Sequence, residues 1–300
     1  MLENQLSAFQ PDTIFITFGG SYDGLLEHYL LSWLEKHPIK YIISCSLSPE
    51  PEVFKGRETE RFKRFMRNAD SVLFLSQENQ AIVEAQMEIK LPNARIIQNP
   101  LWFHLDEPLA PTCIPPIPRL DYIGRISVYH KGLDFLLNAA GSIIDRTPFT
   151  IHLTGKVETA EELDALIQSN GLEDHVHIHD PLPPDQVQEA YAKAEIILLT
   201  SRTEGCASTM LEAMMCGRTI LATPVGGAPD WLTDEENAFL CQSADTASVT
   251  STLIKALDQR SKWPEMGRQA RIAFDQKRDP DPADTLLKIL KNETSGYNLP

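Results

Sequence analysis

Two carboxylates, Glu204 and Glu212, stand eight positions apart in the segment SRTEGCASTMLEAMMCG (201–217). The run before them, EIILLT (195–200), is apolar and of strand length. Ala207, Met210, Leu211 and Met214 then repeat at i, i+3, i+4 and i+7, the spacing of a helix with one apolar face. Gly217 sits where a helix closes on a left-handed residue, and RTILAT (218–223) returns as a strand. Helical side chains lean toward the N-terminus, so Glu212, one turn in, is expected to point toward the loop that carries Glu204. Two acids at the carboxyl end of a parallel strand, where open α/β sheets bind their ligands, suit a polyhydroxylated ligand.

A second constellation is YIGRISVYHKG (122–132). Gly124 and Arg125 follow a strand, and Lys131 stands at the start of the next helix. A cation there opposes the helix dipole unless an anion binds beside it, and free backbone N–H groups already favour phosphate. Arginine supplies a bidentate fork and lysine a mobile point charge, so the pair suits a diphosphate, including one that departs as a leaving group. A third piece, PVGGAPD (224–230), sets Gly226 and Gly227 between a strand and a short helix, where backbone can approach a ligand closely.

The elements that must position these residues alternate along the chain. DTIFITF (12–18), YIISCSL (41–47), SVLFL (71–75) and ARIIQ (94–98) read as strands, with helices near 22–36, 57–69 and 77–88 between them. The segment 105–118 holds Pro108, Pro111, Pro115, Pro116 and Pro118, and proline at that density continues neither a helix nor a central strand. It is expected as an interdomain linker. Beyond it, strands at 119–124, 149–155 and 175–179 alternate with helices, and helices near 245–258, 262–277 and 282–292 finish the chain. This βαβ rhythm predicts parallel sheets with helices on both faces, and 300 residues suggest two domains of roughly 150 each.

Composition narrows the function class. The formal net charge is −15, which disfavours nonspecific attraction to nucleic acid or to an anionic bilayer. The five cysteines (Cys45, Cys113, Cys206, Cys216, Cys241) are scattered without a CxxC pair and read as buried thiols of a reducing compartment. No stretch is apolar for long enough to span a bilayer and no signal peptide is evident, so the expected location is cytoplasmic. His175, His177 and His179 alternate and are expected on one side of a strand, but no carboxylate or cysteine pattern completes a metal set around them. The charged residues of 55–67 mix both signs and read as a solvated helix face.

The motifs GR…KG, SRTEG…LEAMMCG and RTILATPVGGAPDWLTDEENAFL together resemble the donor half of family 4 glycosyltransferases. NADSVLFLSQENQAIV and ARIIQNP resemble the end of that family's first domain. The resemblance covers roughly 70–300 and is dense over 119–241. It implies the GT-B fold: α/β, with two Rossmann-like domains, parallel sheets and the nucleotide sugar held mainly by the second domain. It also implies transfer of a sugar from a nucleoside-diphosphate donor to an acceptor hydroxyl with retention of configuration. Glu204 and Glu212 match the family's paired glutamates, the first facing the transferred sugar and the second the ribose. Arg125 and Lys131 match its arginine and lysine and would hold the diphosphate, so that no metal or other cofactor is expected. By the same likeness the donor pocket takes in Gly124, Gly205, Cys206, Ala207, Ser208, Gly226 and Gly227, and Arg125, Lys131 and Glu204 carry the chemistry.

The chain departs from the family in places. Cys206 and Ala207 stand where phenylalanine and glycine are usual, which alters pocket shape modestly. PDTIF (11–15) resembles a strand midway through the family's first domain, which leaves the opening strand and glycine-rich acceptor loop without counterparts. The alternative is that Gly19 and Gly20 form that loop and the middle of the domain is missing. The family histidine that reaches the donor sugar has no match, and Cys45, Ser46 or Ser48 occupies its region. The expected layout is therefore a shortened acceptor-side domain (1–104), the linker (105–118), a donor-binding domain (119–276) and a C-terminal helix and tail (277–300). Expected partners are a nucleotide sugar and a carbohydrate, lipid-linked or small-molecule acceptor, without nucleic acid. The alternative function is a noncatalytic nucleotide-sugar binder, or a fragment lacking the acceptor loop.

Overall fold

A computed structural model describes residues 5, 8–9, 11–21, 28–46, 56–110 and 115–291. Cys113, Ser48, the first turn of the helix expected near 22–36 and the tail after 291 lie outside the described residues. The chain divides into two compact units, one of residues 1–100, 203–206 and 279–300, the other of 101–202 and 207–278.

In the first unit, β1 (Thr13–Phe18), β2 (Lys40–Cys45), β3 (Ser71–Phe74) and β4 (Ala94–Ile96) form a parallel sheet in sequence order. The helices are α1 (His28–Lys36), α2 (Arg57–Asn68) and α3 (Gln77–Gln86). Alternation along the strands gives the sheet two apolar faces. Ile43, Val72 and Phe74 pack with Phe62, Phe65 and Met66 of α2, while Ile42 and Leu73 pack with Ile289 of the C-terminal helix α11 (Pro282–Lys291). The charged residues of α2 lie off its buried stripe of Thr59, Phe62, Phe65 and Met66, as a solvated face requires. Lys40 Nζ donates to the Leu290 carbonyl at 2.7 Å, which adds to the C-terminal helix the cation that its dipole favours. Among the described residues this unit is thus a four-stranded parallel sheet with helices between its strands, as in a Rossmann-like α/β domain.

The second unit carries six parallel strands in the order β10-β9-β8-β5-β6-β7. They are β5 (Arg119–Ile123), β6 (Thr150–Thr154), β7 (Val176–His179), β8 (Ile196–Leu199), β9 (Thr219–Ala222) and β10 (Phe239–Leu240). Helices α4 (Leu133–Ile143), α5 (Ala160–Ser169), α6 (Val187–Lys193), α7 (Ser208–Met215), α8 (Ala228–Trp231), α9 (Thr246–Asp258) and α10 (Trp263–Lys277) connect or follow them. The chain runs outward from β5 to β7, then crosses back to β8 and runs outward the other way. The reversal leaves a switch point between β5 and β8, at whose carboxyl ends such sheets open a crevice. Both strands are buried, and Leu120, Ile196 and Leu198 join α4 and α9 in one core.

The proline-rich segment is more than a spacer. Over its described residues it groups with the second unit and is tied there by two buried arginines. Arg271 donates to the carbonyls of Leu105, Asp106 and Met215, and Arg218 donates to that of Leu109. Proline-rich backbone cannot satisfy its carbonyls in a ladder, so side-chain donors do so instead. No helix of the described residues is long and apolar enough to cross a membrane.

Candidate functional site

The strand-to-helix turn after β5 brings Gly124, Arg125 and Lys131 to the switch point. Gly124 has φ 148°, and a side chain at Gly155 would meet the Gly124 carbonyl oxygen at 1.8 Å, so the ends of β5 and β6 approach more closely than alanine allows. The Tyr122 hydroxyl donates to the Arg125 carbonyl at 2.6 Å and fixes the turn. The Arg125 side chain is 56% exposed and forms an ion pair with Glu158 at 3.0 Å. Gly132 caps α4 in the left-handed region with φ 59°. A Cβ there would lie 1.9 Å from the Thr200 carbonyl oxygen, which ties the start of α4 to the end of β8. Thr200 Oγ1 donates to the Lys131 carbonyl at 3.1 Å and strengthens the same junction.

A residue that the spacing did not single out completes this junction. Arg202 forms two hydrogen bonds with Asp134, at 2.7 and 2.5 Å, and lies over the rings of Tyr129 and Phe135. Its backbone N–H donates to the His130 carbonyl, so loop 200–202 and loop 129–134 form one piece. The signal was present in SRTEG, where the arginine sits beside the first glutamate, but its partner lies 68 positions away.

Helix α7 begins at Ser208, and Thr209 Oγ1 donates to the Ile123 carbonyl at 3.1 Å, docking the helix start onto β5. Its end is a Schellman turn: Arg218 N–H donates to the Ala213 carbonyl, Gly217 N–H to that of Met214, and Gly217 has φ 69°. Glu212 is buried and accepts a 2.8 Å hydrogen bond from the hydroxyl of Tyr191 on α6. Burial pushes its carboxyl above the usual range, against the pull of that hydrogen bond. Burial and the neighbouring Glu212 charge push the Tyr191 hydroxyl far above its ordinary value, so it remains a donor at neutral pH. In the sequence Tyr191 shares a helical spacing with Val187, Ala190 and Ala194, which reports burial but not the partner of its hydroxyl. After β9, Gly226 takes φ 59° and Gly227 leads into α8.

Glu204, Gly205 and Cys206 group with the first unit, whereas Glu212 belongs to the second. Within the first unit Asn79 Nδ2 donates to the Glu204 carbonyl at 2.9 Å, and a Cβ at Gly205 would lie 2.0 Å from the Ser46 carbonyl oxygen. Ala207 and Ser208 fall on the second unit's side of that division. Gly19 and Gly20 follow β1 in a bend; Cys45 is fully buried at the end of β2, and Ser46 is exposed.

The described cysteines, Cys45, Cys206, Cys216 and Cys241, form no disulfide. The histidine row is narrower than expected, because β7 begins at Val176 and His175 instead lies against the Phe149 carbonyl. His177 and His179 flank His152 of β6, whose Nδ1 lies 2.9 Å from His179 Nε2. Among the described residues no group of three or more histidine, cysteine or carboxylate side chains has the geometry to hold a metal ion.

Sheet order, switch point and loop geometry define an α/β protein of the GT-B class, and solved structures share its fold. Sucrose-phosphate synthase from Thermosynechococcus elongatus superposes with a TM-score of 0.77 at 17% identity, covering 97% of this chain and 76% of that one. Anabaena Alr3699/HepE in complex with UDP gives 0.77 at 18% identity, covering 97% and 82%. Residues 117–259 match the family model described as Glycosyl transferases group 1. A D-inositol 3-phosphate glycosyltransferase of Corynebacterium diphtheriae is 27% identical over 153 residues, 49% of this chain and 36% of its own length. An N-acetyl-alpha-D-glucosaminyl L-malate synthase of Bacillus anthracis is 28% identical over 140 residues, 43% and 37% of the two chains. The match thus spans little more than a third of these curated relatives.

Proposed function

We propose that the protein transfers a sugar from a nucleoside-diphosphate donor to an acceptor hydroxyl with retention of configuration. What supports this reading most is position: Gly124, Arg125 and Lys131 lie in the loop between β5 and α4, and Glu212 lies on α7, whose start is tied to the end of β5 by Thr209. Arg125 and Lys131 neutralise the diphosphate as it departs, in the role a divalent metal would otherwise fill. Glu212, oriented by Tyr191, accepts from the ribose hydroxyls, and Glu204 accepts from the transferred sugar. Gly205, Cys206, Ala207, Ser208, Gly226 and Gly227 present backbone and small side chains to the donor. The names of the relatives support this reading, as does the UDP bound to the Anabaena neighbour. The family resemblance assigns both glutamates to hydroxyl recognition, not to the paired acid and base of a glycosidase.

The four-stranded first sheet favours a second reading, a nucleotide-sugar binder without transferase activity. Calorimetric titration of the 300-residue chain with UDP, GDP and ADP tests what both readings share. One nucleotide should bind, and Arg125→Ala and Lys131→Ala should each weaken it by about 10-fold or more, the size of a lost charge-assisted hydrogen bond. Absence of binding to the folded chain, or affinity unmoved by both substitutions, overturns the donor site. Release of sugar to an acceptor by the nucleotide-binding chain then separates enzyme from binder.

A further inference from the structure

The opposite end of the second sheet holds a cavity of about 530 Å³, a size typical of small-molecule sites. It lies at the amino ends of β8 and β9, between Ala194–Glu195 and Gly217–Thr219, whereas the donor residues follow the carboxyl ends of the strands. Pro108 and Leu109 of the proline-rich segment form one wall, and Trp263 and Pro264 at the start of α10 form another. These walls are apolar, and Glu195 and three arginines complete the lining.

Three arginines line this cavity: Arg218, Arg260 and Arg268. Arg260 is neutralised by Glu195 at 2.6 Å, and Arg268 by Glu265. Arg218 has no carboxylate partner among the described residues. The residue is 4% exposed, Nη2 donates to the Leu109 carbonyl, and Nε has no hydrogen-bond partner. The neighbouring Cys216 thiol supplies no counter-charge, because burial pushes it up to about 12. The Schellman turn at Gly217 fixes the backbone of Arg218 at the cavity wall. A guanidinium stays charged in proteins, and burying it unpaired costs several kcal/mol. An anion beside it would offset that cost.

We propose that this cavity is a binding site for a small amphipathic monoanion, a carboxylate on an apolar body. One uncompensated positive charge matches one negative charge, and the guanidinium carries more donors than the single Leu109 carbonyl accepts from it. The apolar body lies against Pro108, Leu109 and Trp263. The site is independent of the proposed sugar transfer, since it shares no residue with the donor loops.

Octanoate is the probe, titrated calorimetrically into the full chain beside octanol and inorganic phosphate. Octanoate should bind with a stoichiometry of one, while octanol, with the tail alone, and phosphate, with the charge alone, should bind at least 10-fold more weakly. Arg218→Met should weaken octanoate at least 10-fold, and because it also removes the donor to the Leu109 carbonyl, its folding is checked by its melting temperature. A second variant, Ser261→Trp, places bulk at an exposed position of the cavity wall and should also abolish binding. The site is overturned if octanoate does not bind the folded wild-type chain, if octanol binds as tightly, or if Arg218→Met retains wild-type affinity. Should Arg218→Met fail to fold, Ser261→Trp decides alone: unchanged octanoate affinity there overturns the site, and loss supports it.

Discussion

The Tyr191 hydroxyl donates to Glu212 Oε2 at 2.8 Å, and both side chains are buried. A carboxylate withdrawn from water needs a donor, and the tyrosine fixes which way the carboxyl faces. Tyr191→Phe keeps the ring and removes the donor. It should destabilise the fold by about 1–3 kcal/mol, the range for a buried acceptor left unpaired, read as a lower urea midpoint at unchanged slope. A loss below a few tenths of a kcal/mol would show that solvent satisfies the carboxyl instead.

Glu212 also makes stability depend on pH with a definite sign. Burial holds its carboxyl above the ordinary 4.5, so the folded chain binds that proton more tightly than the unfolded chain does. The contribution is fully present at low pH and is lost as pH rises from about 4.5 through the raised value. Glu212→Gln removes the titration and keeps an acceptor for Tyr191. Relative to wild type it should gain melting temperature at pH 7.5, and the gain should vanish below pH 4.5. A difference that stays constant across that range contradicts the burial argument.

Gly132 is a position where backbone geometry leaves little choice. Its φ of 59° is costly for any L side chain, and a Cβ would meet the Thr200 carbonyl oxygen at 1.9 Å. Gly132→Ala must therefore part the start of α4 from the end of β8, at a cost on the order of 3 kcal/mol or more. Gly171 has a similar φ of 64° but nothing within 4 Å of its added Cβ, so Gly171→Ala is the control and should lose only about 1 kcal/mol. Equal losses at the two positions would mean that φ, not the close approach, sets the cost.

These residues show how far local sequence carries. Helix α7 was legible because its apolar spacing, its closing glycine and the strands on either side are all local signals. The glycines and cations after β5 were legible because their types make sense together only beside an anion. Tyr191 looked like a core residue because periodicity reports burial and not the atom a hydroxyl reaches. Proline content showed that 105–118 is neither helix nor strand, yet Arg218 and Arg271, more than a hundred positions on, decide what it lies against. The attachment of loop 203–206 was equally hidden, since Asn79 lies 125 positions earlier.

The histidine cluster predicts a pH response of the opposite sign. Burial, then the charges of Arg119, His177 and His179, lower His152 from 6.5 to about 4. The folded chain therefore disfavours the protonated ring. The resulting stability is complete above pH 6.5 and lost as pH falls toward 4. Its size should be on the order of 1 kcal/mol, because the ring is only half-buried and solvent screens it. His152→Asn should narrow the stability gap to wild type by about that amount between pH 7 and pH 4.5. A gap that widens on acidification would mean that the cluster takes up the proton favourably.

Arg125 gives the last test, which rests on the proposed donor site. Its guanidinium is paired with Glu158 at 3.0 Å, and a diphosphate arriving at the β5 turn has to compete with that carboxylate. Both partners are substantially solvated, so the pair adds little to stability, while a negative charge beside a phosphate site repels the ligand. Glu158→Gln should therefore leave the melting temperature within about a degree of wild type, as expected for a surface change of a few tenths of a kcal/mol. It should tighten nucleotide binding by about 3- to 10-fold, with the gain shrinking as salt is raised. The double substitution with Arg125→Ala should lose most of the gain, because the released guanidinium is what the phosphate takes. If Glu158→Gln weakens binding instead, Glu158 orients Arg125 toward the phosphate rather than competing for it.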